Sequence, residues 1–263
     1  HRALYLFTRI ALWDLEGVIN PQLYPYLVHF AHWPKPRGLH LADGLTPPKV
    51  LKDKLPWQST PLTSAEVAVN LDALKQHRSQ WLVSRGYLES FVRTNELFSD
   101  YPAVSLLPAP HAAKDRFSLK DAPAVPEMPE ELTEEERAAF VGMEWKNARI
   151  ESNALVVTVE LSRPLANAVK VSLFVFGYRP DRPFASMPKI QVRLAADDVD
   201  VFDQARHLRS DEIQVTRGVR QISARIPLVT LGSPTRVLTS ARTFLADVPL
   251  DWVSWRVLDL PAP

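Results

Sequence analysis

The chain contains no cysteine, so disulfides and thiolate chemistry are excluded, and any metal would have to be held by His, Asp or Glu. A cysteine-free chain suits the cytoplasm or the bacterial periplasm and does not separate the two. Glycine is scarce, with 8 in 263 residues, and no Gly-rich phosphate loop is present. Charge of one sign is lacking too. Lys and Arg total 31 against 30 Asp and Glu, which argues against a nucleic-acid or anionic-membrane surface. No apolar run reaches the roughly 18 residues needed to span a bilayer. No serine sits in a Gly-x-Ser-x-Gly elbow. What remains is enough chain for two domains, with 46% hydrophobic residues to build cores.

Composition divides the chain in three. Residues 108–136 hold five Pro and eight acids against three bases, and read as an extended connector laid over a surface. Near its end, Thr133 and Glu136 have the spacing of a capping box and predict a short helix. Residues 1–107 mix helix and strand. Leu4, Phe7, Ala11 and Leu15 recur at helical spacing and predict a helix whose apolar stripe they form, stopped by Gly17. The stretch "YPYLVHFAHWP" is aromatic and β-branched between Pro25 and Pro34 and predicts a strand, with an open edge around 26–30. The stretch "PLTSAEVAVNLDALKQHRSQWL" predicts one long helix. Thr63 and Glu66 cap it, and Val67, Leu71, Leu74 and Trp81 form its apolar face. Beside that face, Asn70, Ala73, His77 and Gln80 make a second stripe, placed where a helix meets a cleft or a solvated edge.

Residues 137–263 are strand-like. Seven short runs, from "NALVVTVEL" to "WVSWRVLDL", fit an antiparallel β-sandwich. Val169, Val171, Leu173 and Val175 share one face at period two, and Val253, Trp255 and Val257 are expected to do the same. Phe174 and Phe176 point the other way. They are candidates for a carbohydrate platform or for burial under a covering element.

The seven histidines gather into no evident site. His111 falls in the connector and His207 in a polar loop, both read as solvated. His29 and His32 are three apart, which on a strand aims them at opposite faces. The spacing of His77 and Gln80 suits hydrogen bonding to a ligand. By themselves these residues do not compose a complete active site.

Four blocks, "HRALYLFTRIAL", "YLVHFAHWPKP", "LPWQSTPLTSAEVAVNLDALKQHRSQ" and "FVRTNELF", resemble in order the C-terminal half of the PIG-L/LmbE family of zinc-dependent N-acetyl deacetylases. The resemblance covers about residues 1–100. It implies an α/β fold, a partial Rossmann-like deacetylase domain over 1–107, with the 108–136 linker and then an all-β sandwich accessory domain over 137–263. It also implies hydrolysis of N-acetyl groups on an N-acetylglucosamine-type sugar or glycoconjugate. "HRALYLF" looks like the end of the family's His-Pro-Asp-His motif, which makes His1 a zinc ligand. A tag remnant and a trimmed terminus are the competing readings of that residue. "LKQHRSQ" looks like the family's late helix, which places His77 and Gln80 near the substrate cleft; Asn70 and His29 are further substrate-cleft candidates. The family's His-Pro-Asp-Asp-Glu motif, with two more ligands and the general base, is not in the sequence. The resemblance therefore implies a chain inactive without a partner N-terminal half, and zinc held only by the assembled protein. A non-catalytic carbohydrate-binding or adhesion protein built on the sandwich is the other class.

Overall fold

The computed structural model describes residues 2–28, 30, 32–106, 118–119, 128, 132–165, 168–195, 197–209 and 211–261. The chain forms two compact units, one from residues 1–20 with 103–263 and the other from residues 21–102.

The larger unit is built on two sheets. Its helices are α1 (Arg2–Asp14) and, numbered after two helices of the smaller unit, α4 (Glu134–Ala139). Its strands are β3 (Val104–Ser105), β4 (Ser118–Leu119), β5 (Met143–Glu151), β6 (Ala154–Leu161), β7 (Val169–Tyr178), β8 (Lys189–Leu194), β9 (Val199–Asp203), β10 (Arg206–His207), β11 (Gln214–Arg217), β12 (Gln221–Pro227), β13 (Arg236–Leu245) and β14 (Val248–Asp259). One sheet runs β10-β9-β8-β7-β13-β14-β3 and the other β11-β12-β6-β5-β4. Every pairing is antiparallel except β14 with β3.

Period two builds the core between these sheets. Val169, Val171, Leu173 and Val175 of β7 are fully buried and share one cluster with Leu155, Val157 and Val159 of β6. Gly177 is required by a close approach: a Cβ there would stand 2.4 Å from the Leu231 carbonyl oxygen. Thr133 caps α4 with its capping box complete. Strands β5, β9 and β10 are additions to the sequence reading. His207 lies in β10 and not in a loop, exposed, with Nε2 3.0 Å from Asp200 Oδ1. His111 and most of the connector lie outside the described residues.

The outer face of the larger sheet is covered in part by α1, and here the expected stripe is wrong. Leu4 and Phe7 are 69% and 61% exposed, whereas Leu6 and Ile10 are 7% and 5% exposed. The helix carries two apolar stripes, and the one holding Leu6, Ile10 and Trp13 faces Phe174, Phe176, Trp255 and Val257. The aromatics decide it. Trp13 sits 4.8 Å from the Tyr178 ring, and the Tyr178 hydroxyl donates to Asp14 at 3.0 Å. Just beyond the helix, Arg236 forks onto both Glu16 oxygens at 2.7 and 3.1 Å. Phe174 and Phe176 are thus partly covered by a helix and are not an open sugar platform. The expectation for β14 also needs correction. A register shift between Thr239 and Ala241 inserts a bulge, so Val253 points into the sandwich core while Trp255 and Val257 point at α1.

The smaller unit holds β1 (Gln58–Pro61), α2 (Ser64–Gln76), α3 (Arg78–Glu89) and β2 (Asn95–Phe98). β1 and β2 form a two-stranded antiparallel ladder. "YPYLVHFAHWP" forms no strand; among its described residues only an isolated bridge, Tyr26 with Phe98, is present. Prolines at 25, 34 and 36 remove the ladder donors a strand would need. That segment is held by side chains instead. Buried Arg93 donates to the carbonyls of Ser90, His40 and Pro36 at 2.9, 3.3 and 2.7 Å. Trp33, Leu45 and Leu97 form the small core beneath.

The expected Rossmann-like α/β domain is therefore overturned. The described residues are mostly β, 37% strand against 20% helix, in three sheets. Among the described residues the single parallel strand pairing, β14 with β3, sits at the edge of the larger sheet, the one other parallel contact is an isolated bridge between Glu16 and Ile19, and residues 21–102 contain no parallel pair. A βαβ unit needs buried apolar strands on either side of each helix. The segment before α2 is instead proline-broken, and β1, with sequence QSTP, is exposed along its length.

Candidate functional site

Asn70 is the sequence-derived candidate that the structure joins to other functional groups. It lies on the second turn of α2, which Thr63 starts by accepting from Glu66 N while Glu66 returns to the Thr63 amide. Val67 is buried and fixes the rotation of the helix, leaving Asn70 half-buried at the margin. There Asn70 Nδ2 donates to Glu96 Oε1 at 2.9 Å, and the Tyr26 hydroxyl donates to Glu96 Oε2 at 2.6 Å.

Glu96 comes from β2, where period two puts it on the same face as Phe98. The Phe98 ring meets the edges of Tyr24 and Tyr26 at centroid distances of 5.1 and 4.8 Å. The backbone is tied at the same place, with Ser99 N donating to the Pro25 carbonyl at 3.0 Å. Burial first, and then the bond and charge of Glu96, push the Tyr26 phenol well above its ordinary pKa. Tyr26 therefore stays a neutral donor throughout the physiological range. Glu96 gives one oxygen to each of two donors, so it serves as a shared acceptor that ties α2 to the Tyr26 ring. Asn70 keeps its amide oxygen as an acceptor. The cluster is a rigid polar and aromatic surface suited to holding a hydroxyl-rich ligand; it has no activated nucleophile.

The remaining candidates are placed differently. The long helix breaks at His77, whose backbone (φ −80°, ψ 60°) closes α2 and opens α3. The stripe of Asn70, Ala73, His77 and Gln80 is consequently split between two helices. His77 and Gln80 are exposed and are not joined to the Asn70 cluster by hydrogen bonds. His1 and His29 lie outside the described residues. Tyr26 and Glu96 escaped sequence reading, although the period-two pairing of Glu96 with Phe98 in "NELF" was a usable signal.

Zinc does not fit the described residues. Among them no three His, Asp or Glu side chains gather as a metal site. His40, the best placed imidazole, is engaged by the Arg37 carbonyl at 3.2 Å and by Asp43 at 3.5 Å. A hydrolytic zinc needs about three protein ligands and an open position. No family model and no curated protein matches the chain.

Proposed function

We propose that the chain is a substrate-side portion of a deacetylase of the PIG-L/LmbE type. It would act on an N-acetylglucosamine-type sugar or glycoconjugate and be inactive without an N-terminal half carrying the zinc-binding residues, whether on the same polypeptide or on another. The observation that carries the proposal is the Asn70–Glu96–Tyr26 cluster, because it falls within the ordered blocks that resemble the family and offers fixed donors and acceptors beside exposed aromatic rings. The apolar face of α1 that the sandwich leaves open, with Leu4 and Phe7 at its centre, supports a further polypeptide as partner.

The test has two arms. The chain alone, supplied with zinc, should release no acetate from N-acetylglucosamine oligomers. Combined with a chain bearing the His-Pro-Asp-Asp-Glu motif it should do so, and Asn70→Ala should raise KM about tenfold with the fold intact. Turnover by the chain alone, or a KM indifferent to both Asn70→Ala and Tyr26→Phe, would sink the proposal.

A further inference from the structure

A second feature lies on the outer face of the larger sheet, within the other unit. One rung of the ladder reads, strand by strand, Asp200, Arg193, Ser172, Arg242 and Trp252. Strands stand about 4.8 Å apart, so the two arginine backbones are about 10 Å apart, and both side chains rise from the same face. Both are held by aromatic rings. The Arg242 guanidinium lies 5.1, 5.4 and 5.4 Å from the ring centres of Phe174, Phe244 and Trp252, and that of Arg193 lies 4.8 Å from Phe202.

Among the described residues neither guanidinium meets a carboxylate: Arg193 donates to the Gln191 amide oxygen at 3.1 Å, and Arg242 makes no hydrogen bond or ion pair. Its Nε is buried without a hydrogen-bond partner among the described residues. The nearby acid is already engaged: Asp200 accepts at 3.0 Å from His207. Burial, and then the positive charge of Arg193, disfavour the charged form of Arg242. A partly desolvated cation next to a second cation is costly to leave unpaired, and an anion bound between them relieves both effects. The planar end-on fork matches a carboxylate. Around it stand hydroxyl-binding groups, the Gln191 amide, Asp200 and the exposed His207, which suit a polyhydroxylated ring better than an apolar acid.

We propose that this face binds a carboxylate-bearing sugar, its carboxylate seated between Arg193 and Arg242. The site belongs to the sandwich unit and is independent of the deacetylase reading. The test is titration of the whole chain with a galacturonate oligomer, followed by NMR at the Arg193 and Trp252 amides. Binding should weaken at least tenfold in Arg193→Gln, which leaves the aromatic cage untouched. Arg242→Lys, which keeps the charge and loses the fork, should weaken it by a similar factor. Raising the salt should weaken it further. Equal binding of the neutral galactose oligomer, or equal affinity in Arg193→Gln, would overturn the proposal. Equally tight, Arg193-dependent binding of inorganic phosphate or of a polyglutamate peptide would overturn the assignment to a sugar acid.

Discussion

Lys146, fully buried on β5, reaches across the sandwich and donates from Nζ to the carbonyl oxygen of Thr239 on β13 at 2.9 Å. Thr239 is the residue at which the β13–β14 register shifts. Beside the bulge a buried carbonyl accepts from an ammonium of the opposite sheet. Removing the side chain should therefore cost more than its packing. Lys146→Ala is expected to lose about 3 kcal/mol or more, and Lys146→Met, which fills the space without donating, about 1–3 kcal/mol. Urea unfolding of the two variants checks the order. A Lys146→Met protein as unstable as Lys146→Ala would assign the loss to the polar contacts of the ammonium and not to its packing.

The rotation of α1 makes a sharper prediction, because two apolar stripes on one helix differ in outcome. Ile10→Ala should cost about 2–4 kcal/mol, since it empties a packed site beneath the helix. Phe7→Ser should change stability by less than about 0.5 kcal/mol. The larger side chain is then the cheaper one to lose, the reverse of what the stripe Leu4, Phe7, Ala11, Leu15 predicts.

The end of the same helix predicts a response to alkali. Burial, followed by the bond to Asp14, pushes the Tyr178 hydroxyl up to about 12. An unfolded tyrosine titrates near 10. The folded pKa is raised, so this contribution to stability is complete below about pH 10 and is lost as pH rises toward about 12. The denaturation midpoint should fall over that window, and Tyr178→Phe should flatten the fall. Equal slopes in the two proteins would show that another group carries it.

In the smaller unit, Thr63→Ala removes the N-cap of α2 and should cost about 1 kcal/mol. Because Asn70 sits two turns inside that helix, the substitution should also blur the Asn70–Glu96 contact. Increased amide exchange at Glu96 would report it, and unchanged exchange would show that β2 holds the cluster without help from the cap.

Some local signals were read correctly, while the strand expected over 24–34 and the unbroken helix through His77 were not found. Both capping boxes involve residues three apart, and the alternation of β7 is decided within ten residues, so sequence suffices for them. The face of α1 is decided by aromatics at 174, 176 and 255, far away in the chain, and spacing alone cannot choose between its two stripes. The bulge in β14 leaves no mark in "WVSWRVLDL", because either face of the strand is buried and either register looks apolar. The segment before β1 has strand-like composition, but its prolines and the grip of Arg93 on the Pro36 and His40 carbonyls go with an irregular path. Asn70 was legible as a candidate; its partners Glu96 and Tyr26 are 26 and 44 residues away and come together only through the fold.

The sandwich unit is discontinuous: α1 lies at one end of the sequence and its seat, around Trp255 and Val257, near the other. At roughly 5–20 residues per second, the ribosome delivers that seat some 10–50 s after the helix. During that interval the stripe of Leu6, Ile10 and Trp13 lacks part of its seat, and a ribosome stall placed just before the β13–β14 hairpin should leave a nascent chain that recruits chaperones through α1.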